Sequence, residues 1–352
     1  MLYRGPHRAQ ESPAGDRDSR PPARGSERQA ARDVLTTYLA LFGGLIYLLW
    51  GGDLLVRGAV ALARQLNVSS ALVAASVVAF GTSVPELVVT IQAVLAGFPG
   101  MALGNVVGSN VANMLLVGGA AAAVYPVDGH GSTLGRDSLV MVIVSLLFVG
   151  LCLVGELDHA AGGLLLAGLI VVWGMAVRDA GQAQRAPDLD ARLEWVLGLP
   201  SRMWLIVLFI GAGLVGLPIG AELVVTAAAD IAEQLGVSKT VVGLTILAFG
   251  TSLPELATTV VAAYQKRAGV ALGTIVGSNA LNILGIMGAA AVVSPNAIPV
   301  PAGFRSLEFP IMLGSALLVA GFIWTKRPIG RLIGVLMVAA YVVYIAALFL
   351  RG

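Results

Sequence analysis

Two closely similar decapeptides decide the fold of this chain: GTSVPELVVT at residues 81–90 and GTSLPELATT at residues 250–259. The offset of 169 residues (81 to 250) also holds in the flanking sequence. LARQLNVSS at 62–70 corresponds to IAEQLGVSK at 231–239, and LGNVVGSNVANMLLVGGAA at 103–121 corresponds to LGTIVGSNALNILGIMGAA at 272–290. A match of this length without gaps indicates that the chain arose by internal duplication.

The composition is that of a membrane protein. Of the 352 residues, 57% are hydrophobic and only 12% are charged, whereas a soluble domain has about 25% charged residues. Helical windows of roughly 20 apolar residues are long enough to cross a bilayer. Ten such windows are present, at about 35–56, 71–96, 101–127, 138–155, 159–177, 203–225, 240–264, 270–293, 307–324 and 330–350.

The ten windows divide equally between the two copies. An odd number of spans in each copy reverses the orientation of the second copy in the membrane. We therefore predict an all-α membrane protein with ten transmembrane helices arranged as two inverted five-helix repeats. Secondary transporters commonly have this architecture, with the substrate site at the membrane midplane between the repeats.

The polar segments suggest the domain organisation. Residues 1–33 form an Arg/Pro-rich tail predicted to be disordered, and a native start near Val34 stays open. The first repeat then occupies 34–177, a linker 178–202, and the second repeat 203–352. Lys and Arg concentrate in the loops on the linker side, which predicts a cytoplasmic linker in a multi-pass protein of a bacterial-type inner or plasma membrane. Because these basic residues lie in loops and tail, they indicate no nucleic-acid partner.

Glu86 stands inside the second window, where a carboxylate is costly and usually functional. Pro85 removes the amide that would bond the Gly81 carbonyl, so backbone oxygens near Gly81 and Thr82 are available to another partner. Thr82 and Glu86 are four residues apart and share a helix face. In the next window, Ser109 and Asn113, also four apart, add two further oxygen donors.

The second repeat contains the same set of residues, including Thr251, Glu255, Ser278 and Asn282. Inverted symmetry would place Glu86 and Glu255 opposite each other, and two facing carboxylates repel unless cations neutralise them. Hard oxygen ligands suit Ca²⁺, Na⁺ or a proton, and six to eight oxygens suit Ca²⁺ better than Mg²⁺.

Other residues support no competing chemistry. Cys152 is expected to be a small buried side chain, and the histidines have no metal-ligand spacing. A membrane-embedded enzyme would need a histidine or lysine base, and the predicted spans contain none apart from His159 at the edge of the window 159–177. We therefore expect no enzyme, no cofactor and no obligate protein partner. The glycine pairs at 104 and 108 and at 273 and 277 predict close helix packing.

The paired motifs GTSVPE with GNVVGSNVAN and GTSLPE with GTIVGSNALN resemble the two alpha-repeats of the sodium/calcium exchanger family, within the cation/calcium antiporter superfamily. The resemblance covers essentially all ten windows. It implies a secondary antiporter that exchanges Ca²⁺ for Na⁺ by alternating access. It also implies Ca²⁺ contacts from both glutamates and from the Thr82 and Thr251 carbonyls, with Na⁺ contacts and the rest of the site supplied by Ser83, Ser109, Ser252, Ser278, the Ala79 and Ala248 carbonyls, Asn113 and Asn282.

The coupling ion and the class of protein stay open at this point. Many relatives have aspartate where this chain has Asn282, and the proton/calcium branch usually has glutamate where this chain reads GSN. The second difference favours Na⁺ over H⁺ as the coupling ion without deciding it. A cation channel could be lined by the same oxygens, although inverted repeats around one midplane site argue against it.

Overall fold

The chain is almost entirely helical in a computed structural model that describes residues 24–129, 134–182, 198–235 and 250–351. Two short strands, β1 (Glu156–Leu157) and β2 (Ile298–Pro299), pair antiparallel. The helices are α1 (Arg24–Gln65), α2 (Ser70–Thr82), α3 (Val84–Leu95), α4 (Pro99–Val124), α5 (Leu134–Cys152), α6 (His159–Gln182), α7 (Met203–Gln234), α8 (Leu253–Tyr264), α9 (Ala268–Val293), α10 (Gly303–Ser306), α11 (Glu308–Trp324) and α12 (Arg331–Arg351).

Fewer spans are found than hydropathy predicts. Within the described ranges, seven helices are long and apolar enough to cross a membrane, and the bent pair α2 and α3 makes up to eight. The two other predicted windows fall short for different reasons. The window at 307–324 becomes a helix of 17 residues, and about half of the window at 240–264 lies outside the described residues. A helical membrane protein is confirmed, whereas the count of ten stays a prediction.

The first helices of the two halves, α1 and α7, pack closely through glycines. A Cβ on Gly44 would lie 3.0 Å from the Gly220 carbonyl oxygen, and a Cβ on Gly213 would lie 2.8 Å from the Gly51 carbonyl oxygen. Residue numbers fall along α7 as they rise along α1, so the two helices are antiparallel. Small residues allow this close approach of two membrane helices.

Loop contacts group the helix ends into two sets. Val127, after α4, bridges to Ile329, before α12. At the opposite set of ends, β1 follows α5 and pairs with β2, which follows α9, and the His159 Nε2 atom lies 3.0 Å from the Ser294 carbonyl oxygen. These contacts agree with the alternating direction of the predicted spans.

Close packing at the second glycine pair agrees with the sequence prediction. A Cβ on Gly273 would lie 2.5 Å from the Ala71 carbonyl oxygen, and a Cβ on Gly277 would lie 2.4 Å from the Ala75 carbonyl oxygen. Helices α2 and α9 therefore touch backbone to backbone. The corresponding partners of Gly104 and Gly108 in the repeat, residues 240 and 244, lie outside the described ranges, so that pair stays a prediction.

Candidate ion-binding site

The membrane helix that carries the first motif is broken at Ser83. This residue has φ −87° and ψ 7°, so it belongs to neither helix, and α3 is bent by 46° relative to α2. Pro85 enters the first turn of α3, where a missing amide costs little. Glu86 lies in that same first turn, where the positive end of the helix dipole favours a carboxylate.

The second motif has the same local geometry. Ser252 has φ −88° and ψ 2°, and Glu255 lies in the first turn of α8. The Leu256 amide donates to the Ser252 carbonyl oxygen at 3.0 Å, matching the 3.1 Å bond from Leu87 to Ser83 in the first half. Similar sequence has therefore produced the same local geometry at the start of α3 and at the start of α8.

Glu86 and Glu255 are brought together in the protein interior. They are 2% and 1% exposed. The Ser83 hydroxyl, three residues before Glu86 in the first motif, donates to Glu255 Oε1 at 3.0 Å. A residue of the first motif therefore contacts the acid of the second, as the inverted arrangement predicts.

A second set of polar residues lies where α4 and α9 meet. Each helix contains a π-helical segment here, Ala112–Val117 in α4 and Asn282–Met287 in α9, and such segments are frequent at functional sites. The Asn282 Nδ2 atom donates to Ser109 Oγ at 3.0 Å and to Asn110 Oδ1 at 3.3 Å. Side chains of the two halves are thus joined directly.

Several buried oxygen atoms in this region have no hydrogen-bond partner among the described residues. A buried polar atom without a partner is uncommon and needs an explanation. All the atoms of this set can accept a hydrogen bond or coordinate a cation. They are Glu86 Oε2, Glu255 Oε2, Asn113 Oδ1, Asn279 Oδ1, Asn282 Oδ1 and Ser278 Oγ.

The remaining predicted residues are placed as follows. Ser252 is buried and Thr251 is half-buried, both beside Glu255 in sequence. The Ala79 carbonyl oxygen accepts from the Ser83 amide at 3.1 Å and from the Thr82 hydroxyl at 3.3 Å. Ala248 lies outside the described residues. No cluster of three or more His, Cys, Asp or Glu side chains is found in the described ranges, so the site combines two carboxylates with neutral oxygens.

Sequence reasoning missed two buried asparagines, Asn110 and Asn279, which are equivalent in the repeats. They are 0% and 2% exposed, and Asn279 Nδ2 donates to the Asn110 carbonyl oxygen at 3.2 Å. The signal was available, because GSNVAN at 108–113 and GSNALN at 277–282 share this asparagine as well as the later one.

The fold and the site together define a helical membrane protein with an oxygen-lined interior site made by two similar halves. Comparisons with known proteins agree. The family described as sodium/calcium exchanger protein matches residues 36–177 and again residues 204–350. The sodium/calcium exchanger MaX1 of Methanosarcina acetivorans is 32% identical over 90% of this chain and 99% of its own length.

Two further relatives extend the comparison. The inner membrane protein YrbG of Escherichia coli is 33% identical over 90% of this chain and 97% of its own length. A solved structure of the sodium-calcium exchanger NCX_Mj superposes with a TM-score of 0.76 at 30% identity, covering 90% of this chain and 99% of that one. This chain belongs to the sodium/calcium exchanger family, whose members are membrane transporters rather than enzymes.

Proposed function

We propose that this protein is a secondary active antiporter that exchanges Ca²⁺ for Na⁺ by alternating access at a site containing Glu86 and Glu255. The observation that carries the proposal is the set of buried acceptor oxygens, contributed by both halves around two carboxylates, that have no hydrogen-bond partner within the described ranges. A hydrogen-bond donor could also satisfy these oxygens, but none is found for them among the described residues. A hard cation binds oxygen atoms of this kind and is therefore the ligand that suits them.

The charge of the site suggests how the ions compete. Two carboxylates are neutralised by one Ca²⁺ or by two Na⁺, and both ions would use the same oxygens. Occupation by one kind of ion therefore excludes the other, and this exclusion couples their movements. A third Na⁺ would leave a net positive charge, on which the membrane potential could act. With Asn282 in place of an acid, no further carboxylate is available for K⁺, so exchange should not require K⁺.

The full ligand set is proposed from the family resemblance together with the burial of most of its members. Glu86, Glu255 and the Thr82 and Thr251 carbonyls would hold Ca²⁺. Na⁺ would use Ser83, Ser252, Ser109, Ser278 and the Ala79 and Ala248 carbonyls. Asn113 and Asn282 complete the centre.

We also propose the inverted ten-helix topology, with residues 178–202 cytoplasmic in a bacterial-type plasma membrane. The antiparallel packing of α1 against α7 supports an inverted relation between the halves. The relatives point the same way, since one is named an inner membrane protein and others are sodium/calcium exchangers.

The test is a flux assay with purified protein in liposomes, in which Na⁺ and pH gradients are varied independently. Ca²⁺ uptake that depends on an outward Na⁺ gradient, is unaffected by the pH gradient and proceeds without K⁺ is expected. Uptake driven by the pH gradient alone would identify a Ca²⁺/H⁺ antiporter. Ca²⁺ movement that needs no counter-ion gradient would identify a channel, and would overturn the proposal of exchange.

A further inference from the structure

Asn282 is held in one orientation by the opposite half of the protein. An asparagine amide nitrogen carries two hydrogens, and both are used: one is donated to Ser109 Oγ at 3.0 Å and the other to Asn110 Oδ1 at 3.3 Å. The Asn282 Oδ1 atom is the end of the amide that remains, and it is buried without a partner among the described residues. The side chain therefore presents an acceptor.

Asn110 is the residue that makes this orientation specific. The Ser109 hydroxyl donates to the Val106 carbonyl oxygen at 3.1 Å, but a hydroxyl can rotate to donate elsewhere, so Ser109 alone would tolerate either end of the Asn282 amide. A carbonyl oxygen accepts only, so Asn110 Oδ1 requires the nitrogen of Asn282 to face it. Turning the Asn282 amide by 180° would bring two carbonyl oxygens together.

Asn110 is itself fixed in place. It is fully buried, and its backbone carbonyl accepts from Asn279 Nδ2 at 3.2 Å. Its own amide nitrogen faces the Met312 Sδ atom at 4.0 Å, and a thioether sulfur is a weak acceptor. Asn110 thus has contacts on both sides and contributes no unpartnered side-chain oxygen of its own to the site.

We infer that Asn110 is a positioning residue for ion binding: its side-chain oxygen turns the Asn282 amide so that the Asn282 carbonyl oxygen is available to the transported cation. The inference rests on the proposed function and names a residue that acts through another one. Partners that orient a metal ligand in this way typically change metal affinity by about 10–100-fold when they are removed.

A double-mutant cycle tests it, with equilibrium Ca²⁺ binding to the purified full-length protein as the measurement. We expect Asn110→Ala to weaken Ca²⁺ binding by about tenfold in the otherwise unchanged protein. In an Asn282→Ala background the same substitution should change it by less than about twofold, since no amide is left to orient. Met312→Leu, which removes only the weak sulfur contact of Asn110 and leaves both bonds of the Asn282 amide intact, serves as the control and should change binding by less than about twofold in both backgrounds.

The outcomes separate this inference from the proposed function. An equal loss in both backgrounds would mean that Asn110 acts only through general packing, and would overturn the inference. If Asn110→Ala does not fold, the nearly isosteric Asn110→Leu takes its place in the cycle with the same expectations. Absence of both Ca²⁺ binding and exchange in the unchanged protein would instead refute the proposed function.

Discussion

Asn113 and Asn282 are equivalent in the two repeats, yet within the described ranges only Asn282 is seen bonded through its side chain to the opposite half. Asn282 donates to Ser109 and Asn110, while no corresponding bond from Asn113 to the second half is found among the described residues. The acids differ in the same sense, since Ser83 donates to Glu255 and no matching bond from Ser252 to Glu86 is found in the part of the chain that the structure describes. The cross-repeat bonds found there therefore hold Asn282 and Glu255, two ligands of the second half.

This difference does not follow from local sequence, because the two motifs are nearly identical and Ser83 and Ser252 have the same dihedral angles. It comes from how one half lies against the other. A transporter built from two similar halves must pass through asymmetric conformations to open on one side at a time. Unequal hydrogen bonding of equivalent side chains is what such an asymmetry would produce at single residues.

The largest effect is expected at the two acids, where the two halves should respond equally to substitution in spite of their different hydrogen bonds. Glu86→Gln and Glu255→Gln each remove half of the negative charge of the site, although only Glu255 accepts a bond from Ser83. Because ligand charge determines Ca²⁺ affinity, we expect each variant to reduce Ca²⁺ exchange by roughly 100-fold or more. The measurement is Na⁺-dependent Ca²⁺ uptake in proteoliposomes.

Glu222→Gln is the control for the loss of a carboxylate in a membrane helix, because Glu222 is exposed on α7 and lies outside the proposed ligand set. It should exchange at the unchanged rate. Near-normal exchange by either Glu86→Gln or Glu255→Gln would show that the ion site has been wrongly assigned.

An intermediate effect is expected at the two asparagines. Asn282→Asp removes an amide that donates two hydrogen bonds and places a carboxylate oxygen near the acceptor Asn110 Oδ1. Asn113→Asp introduces the same charge at the equivalent position without breaking a corresponding pair of bonds. We therefore expect Asn282→Asp to lower the free energy of unfolding by about 2 kcal/mol more than Asn113→Asp does.

The comparison is made by thermal unfolding of both variants in the same detergent without Ca²⁺, so that the shared cost of the new charge cancels. Equal midpoints for the two variants would mean that the bonds of Asn282 contribute little to stability. The described asymmetry would then have no energetic consequence.

Sequence could predict the components of the site better than their connections. Glu86 and Glu255 stand out because a carboxylate in an apolar span is costly, and Pro85 predicts the break between α2 and α3 that the structure has. The packing of Gly273 and Gly277 against α2 also follows from small-residue spacing. These features depend on local sequence.

The bonds between halves could not be predicted in the same way. A repeated sequence predicts a symmetric site, so nothing in it distinguishes Asn282, whose amide bonds to the opposite half, from Asn113, for which no such bond is found among the described residues. Sequence did not single out Asn110, because the role of an asparagine where two helices cross depends on the residue to which it bonds. The short helix α11 shows a further limit, since hydropathy alone does not determine whether 17 apolar residues form a complete span.

The smallest effect is expected at a pair of equivalent positions where the repeats differ in sequence. In the first half, Asn105 Nδ2 donates to Thr90 Oγ1 at 2.9 Å and to the Glu86 carbonyl oxygen at 3.3 Å, which links α4 to α3 next to the site. In the second half, Asn105 is replaced by Thr274, and Thr90 corresponds to Thr259. Both threonine hydroxyls are fully buried, and neither has a hydrogen-bond partner among the described residues.

The shorter side chain of Thr274 explains the missing link, because it ends before the amide that Asn105 places between the two helices. Thr274→Asn should supply that amide to Thr259 and raise the free energy of unfolding by up to about 1 kcal/mol, the net value of a typical buried hydrogen bond. The reciprocal Asn105→Thr should lower it by about 1–3 kcal/mol, because it leaves Thr90 without its donor. Thermal unfolding of both variants measures the two changes under identical conditions. Destabilisation by Thr274→Asn would mean that the space between α8 and α9 is already filled, by packing or by an ordered water that the amide cannot replace. The two halves would then satisfy these hydroxyls by different means.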